Sequence, residues 1–124
     1  MNQQEKFNKA WELKKQGKCS DALKLYNELY GRLIKDANKY ARSFEGSVID
    51  KGNTRKLMPQ LFRKTDEYLK RDNLACAILN NMGVIYEELG DRDTAKKYFE
   101  ESIRLTPDNL NYPNPKIGLE ELSK

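Results

Sequence analysis

The sequence predicts an all-α protein built of antiparallel helix pairs, and three observations carry that prediction. Breakers are rare: the 124 residues contain four prolines and seven glycines. No stretch alternates apolar and polar residues for long enough to argue a strand. A glycine, an alanine and an aromatic residue recur in two places with the same internal spacing, as two helices crossing at close range require.

Taken in order, the first helix is expected over about residues 3–16, with Phe7, Ala10, Trp11 and Leu13 along one side. Gly17-Lys18 ends it, because glycine accepts the left-handed conformation that closes a helix. Cys19 or Ser20 opens a second helix with Ala22, Leu23, Leu25, Tyr26, Leu29, Leu33 and Ile34 as its apolar stripe. No proline or glycine pair lies between Lys35 and Glu45, so this helix either runs on to about Phe44 or breaks near Asp36. Two glycines make residues 45–53 a turn, and a helix follows over about residues 54–70 with Leu57, Leu61, Phe62, Tyr68 and Leu69. Pro59 is tolerable only in its first turn. Residues 74–89 are strongly helical, Gly90-Asp91 turns, and Arg92 or Asp93 opens a helix that ends at Pro107. Residues 106–115 form a loop of turn formers, and residues 116–123 a short last helix with Ile117, Leu119 and Leu122 to bury.

The chain contains no histidine, the side chain most used for acid–base work near neutral pH and the commonest ligand of zinc and redox metals. Two cysteines, Cys19 and Cys76, cannot close a zinc site by themselves and are too few for a disulfide scaffold. Cys19, beside Lys18 at a helix start, and Cys76, between Ala75 and Ala77, read as structural residues. Glu87-Glu88 and Glu100-Glu101 are neighbours that diverge by about 100° on a helix and form no facing acid–base pair. No catalytic residue, metal or cofactor is therefore expected, and the protein is not read as an enzyme. No apolar run approaches the ~20 residues that span a bilayer. The N-terminus lacks the apolar core of a signal peptide, so a cytoplasmic location is expected.

Charge is uneven within a net +4. Residues 1–34 hold seven Lys/Arg against four Asp/Glu, residues 35–73 ten against six, and residues 74–124 six against nine. A basic surface can attract nucleic acid or acidic segments. Here the excess is spread over helices that need solvated faces anyway, so nucleic acid is not expected as a partner, and a basic nucleic-acid-binding helical repeat or a small-ligand sensor on the same helices stands only as the alternative reading.

Ala10, Leu13, Gly17, Ala22 and Tyr26 recur as Gly83, Tyr86, Gly90, Ala95 and Phe99, each 73 residues later. A small residue in each helix lets the backbones approach while the aromatic fills the wedge between them. Leu79, Met82, Gly83, Tyr86, Ala95, Phe99 and Pro107 resemble the tetratricopeptide pattern W-x₂-L-G-x₂-Y…A-x₃-F…P, with leucine for the tryptophan and methionine for the leucine. The resemblance covers residues 74–109. A weaker copy occupies residues 3–36, where Lys6 and Lys9 stand at places that the family fills with apolar side chains. As 73 is about twice the family period, a degenerate or lengthened middle repeat is expected over residues 37–71, its helices being 37–49 and 54–70. The rival picture has two repeats with lengthened helices between them. Residues 116–123 would cap the stack.

The resemblance implies one domain, a right-handed superhelix of two to three repeats. It also implies a scaffold or adaptor that binds a peptide or helix of a partner protein in a concave groove. By resemblance the groove side of the strong repeat comprises Asn80, Asn81, Val84, Glu87 and Glu88, with Asn81 where the family hydrogen-bonds a ligand's backbone; a merely solvated polar face is the plainer alternative. In the first repeat Phe7 and Trp11 fall on the groove side, near Lys14 and Lys15. They make an aromatic patch for an apolar ligand or a second copy of the chain. Alternatively, a rotated helix buries them and turns Lys6 and Lys9 to water. Family members that grip a carboxylate tail place lysine and asparagine where this chain has Phe7 and Trp11, which argues against that ligand.

Overall fold

The computed structural model describes residues 1–43 and 63–124, and every regular element among them is helical. These are α1 (Gln3–Lys15), α2 (Cys19–Arg42), a helical segment over residues 63–69, α3 (Leu74–Glu88), α4 (Arg92–Arg104) and α5 (Asn114–Leu122).

The two glycine turns are copies of one another. Gly17 and Gly90 have φ of 80° and 84°. In each, the glycine N–H reaches back to the third-last carbonyl, Gly17 to Lys14 and Gly90 to Glu87, both at 3.0 Å. The next N–H reaches one residue further, Lys18 to Leu13 and Asp91 to Tyr86, both at 2.9 Å. This double closure satisfies carbonyls that the helix leaves unpaired and needs a residue free of a Cβ penalty. Asp91 then caps α4 by accepting from the Thr94 N–H at 3.2 Å, and Asn2 caps α1 by accepting from the Glu5 N–H at 2.8 Å.

No break occurs near Asp36. Leu29, Leu33, Ala37 and Ala41 lie one turn apart and are all buried, so the stripe that holds α2 to the core continues to Arg42. Ala37, the expected start of a separate middle helix, therefore lies inside α2, and no new helix begins there. The expected turn at residues 45–53 lies outside the described residues. So does the start of the following helix, with Leu57, Pro59, Leu61 and Phe62. The last helix begins at Asn114 rather than Lys116, because Pro115 sits in the first turn, where no backbone N–H is required.

α1 packs antiparallel on α2 and α3 on α4, and the second pair rests directly on the first through contacts of α3 with α2 and α1. α5 lies across α4 and α3. The segment 63–70 packs on the outer helices α2 and α4: Tyr68 meets Tyr40 of α2 at 5.5 Å between ring centroids. Arg104 of α4 pairs with Asp66 at 2.6 Å, and Lys70 with Asp108 at 2.9 Å.

The core runs through Tyr26, Leu29, Leu33, Leu69, Ile78, Leu79, Met82, Ile85 and Leu105. Ala10 and Gly83 occupy equivalent crossings, as do Tyr26 and Phe99. Phe99 is gripped from two sides: a Cβ added at Gly83 would stand 2.8 Å from its ring, and one at Gly118 of α5 would stand 2.6 Å away. Tyr86 and Tyr98 stack with centroids 5.3 Å apart across α3 and α4. The buried Ser102 hydroxyl donates to the Cys76 carbonyl at 2.6 Å and ties the same two helices.

Candidate interaction surface

Side by side, α1 and α3 bring together most of the residues singled out above. Lys14 Nζ lies 2.8 Å from Glu88 Oε1 and 4.8 Å from the Trp11 ring centroid, so one ammonium bridges both helices and covers an aromatic face. Phe7 and Trp11 are half-buried, between the exposed patch and the covered core that the sequence left open. Phe7 meets Tyr26 edge-on at 5.9 Å and 71°. Lys6 is half-buried and Lys9 exposed. Val84 and Glu87 are half-buried, and Glu88 is exposed.

Asn80 departs from the expected accessible groove position, being only 5% exposed. Its Nδ2 donates to Asn81 Oδ1 at 3.5 Å, and Asn81 Nδ2 donates to the Tyr26 hydroxyl at 3.1 Å. The Asn80 amide also acts on the Tyr112 hydroxyl, partly opposing the rise that burial causes there. A polar chain thus runs from the loop after α4, through two amides of α3, to the core tyrosine of α2. Asn81, expected to meet a ligand's backbone, already spends a donor on Tyr26. Tyr112 was not singled out by the sequence. Its signal was an aromatic residue inside a run of asparagines and prolines, which has little reason to be there unless it is packed.

Burial pushes the hydroxyls of Tyr26, Tyr30 and Tyr112 up to about 12. For Tyr26 and Tyr112 the amides of Asn81 and Asn80 partly oppose this. For Tyr30 the carboxylates of Glu101 and Asp66 add to burial, and Arg104 opposes. A folded-state value above the ordinary 10 means that the unfolded chain loses these protons first, so their contribution is whole below pH 10 and is lost as pH rises towards 12. Urea-unfolding midpoints are thus expected to fall between pH 10 and 12, with tyrosinate absorbance rising later in the native than in the unfolded chain. Coincident absorbance curves would show that the hydroxyls are not shielded.

Among the described residues no group of three or more His, Cys, Asp or Glu is placed to hold a metal ion, and no helix is long and apolar enough to cross a membrane. Residues 77–109 match the family model of the tetratricopeptide repeat, a stretch that takes in nearly all of α3, the whole of α4 and the turn beyond it. Neither the curated proteins nor the solved structures yield a match.

Proposed function

We propose that this tetratricopeptide-repeat protein is a non-enzymatic scaffold or adaptor that holds a peptide or helix of a partner protein on the face formed by α1 and α3. Proteins built on this repeat are in general protein–protein interaction modules. The observation that carries the reading is the alignment of α1 with α3. The Lys14–Glu88 pair bridges them, and half-buried Trp11 and Val84 supply apolar contact area beside that bridge. Partly exposed apolar and aromatic side chains ringed by charge are the composition of a docking surface. In the organisation we propose, the two helix pairs are two repeats that stack directly, and α5 caps the open end. The free thiols of Cys19 and Cys76 suit a reducing cytoplasm.

The test is quantitative affinity capture from native extract using the full chain. Val84→Glu places a charge in the middle of the proposed face and should reduce partner recovery about tenfold or more, as loss of a central apolar contact does. Lys97→Glu, on the exposed side of α4, should leave recovery unchanged. Unchanged recovery with Val84→Glu, at unchanged helical content, would move the binding surface elsewhere.

A further inference from the structure

We infer that residues 63–70 form an electrostatic strap that opens as a unit, apart from the helix pairs, and gates the outer face of α2 and α4. This is not the α1–α3 face, and neither reading depends on the other. Two ion pairs and one buried side chain hold the strap down. Asp66 pairs with Arg104 of α4 at 2.6 Å and Lys70 with Asp108 beyond α4 at 2.9 Å, each across 38 positions of sequence. Leu69 joins the core cluster and is the only buried residue between positions 63 and 73.

Neither ion pair is sealed from water. All four side chains reach solvent, Asp108 with 94% of its surface. Exposed pairs of this kind contribute little each and are screened by salt. Release strands no buried charge. Arg104 keeps its bonds to Glu101 on its own helix, and Asp108 is already solvated. By contrast, α3 and α4 are joined by the buried Phe99 ring and by the buried bond from Ser102 to the Cys76 carbonyl, neither of which involves a charge that salt could screen. The strap also has a hinge. Residues 71–73 are exposed and non-helical, and the Asp72 carboxylate accepts from the Leu74 N–H at 3.0 Å. α3 therefore keeps its own start when the strap lifts.

Lifting the strap uncovers the seat of Leu69 in the core cluster and the Tyr40 ring that Tyr68 meets. It also withdraws Asp66 from Tyr30 of α2, whose hydroxyl is pushed up by burial and by the carboxylates of Glu101 and Asp66. The outer face is thus closed by the chain's own segment and opened by whatever competes for the two ion pairs. Salt is the simplest competitor.

The test is native-state amide exchange of the full chain, read residue by residue between about 0.05 and 1 M NaCl, a range that shrinks the Debye length to about 3 Å. Local opening sets the exchange of the amides it frees. The amides of residues 67–70 are expected to exchange faster than those of α3 and α4. They should accelerate about fivefold across the salt range while α3 and α4 hold steady. Lys70→Glu turns one attraction into a repulsion and should raise strap exchange at low salt about tenfold. Adding Asp108→Lys, at the exposed partner, should restore most of the protection. Exchange in α3 and α4 checks that both variants keep the fold. Strap amides that exchange only as slowly as α3 and α4, that ignore salt, or that Asp108→Lys fails to protect again would each overturn the inference.

Discussion

Phe99→Ala is expected to destabilise the fold by about 3–5 kcal/mol, the cost of emptying a buried aromatic site that cannot collapse. The ring is 1% exposed and lies between Gly83 of α3 and Gly118 of α5, two residues with no side chain to swing into the space. A domain of this size has only about 5–15 kcal/mol in total. The loss should therefore appear as a large drop in the urea midpoint by circular dichroism. It should also free α5, whose grip on the pair α3–α4 passes through that ring, and amide exchange over residues 114–122 should accelerate in the variant. A loss below about 1 kcal/mol would mean that the ring does not hold the three helices together.

Gly83→Ala and Gly118→Ala test the same grip from the opposite direction. An added Cβ would stand 2.8 Å or 2.6 Å from the Phe99 ring, closer than carbon atoms tolerate. Overpacking of this kind costs about 1–3 kcal/mol, against the roughly 1 kcal/mol that alanine gains over glycine in a helix. Gly31 of α2 supplies the control, because nothing lies within 4 Å of a Cβ built there. Gly31→Ala should stabilise by up to about 1 kcal/mol while Gly83→Ala and Gly118→Ala destabilise. Combining Gly83→Ala with Phe99→Leu should cost less than the sum of the two, since the narrower side chain makes room for the methyl group. Additive losses would place the clash elsewhere.

The parts of this fold that were legible in the sequence are those fixed by local rules. Gly17 and Gly90 announced their turns because only glycine adopts that conformation freely, and the five pairs of residues spaced by 73 marked two equivalent helix crossings. The matched repeat at residues 77–109 was readable from Gly83, Ala95 and Phe99 for the same reason. What escaped were contacts between residues far apart in the chain. Gly118 gave no sign that it faces Phe99, since a lone glycine in a short helix looks like a weak helix former. Asn80 looked like a solvated groove residue because Tyr112, whose hydroxyl its amide acts on, lies beyond another helix. The pairing of Lys14 with Glu88 depends on α1 and α3 being neighbours. The unbroken apolar stripe of α2 through Ala37 and Ala41 was the clue against a helix beginning at Ala37.

Hydrogen exchange of the full chain with and without a captured partner decides most directly whether the α1–α3 face is the binding surface. Slower amide exchange over residues 3–15 and 74–88, with residues 92–104 unaffected, is the predicted result. Protection confined to residues 63–70 and 92–104 would place the partner on the outer helices and contradict the assignment.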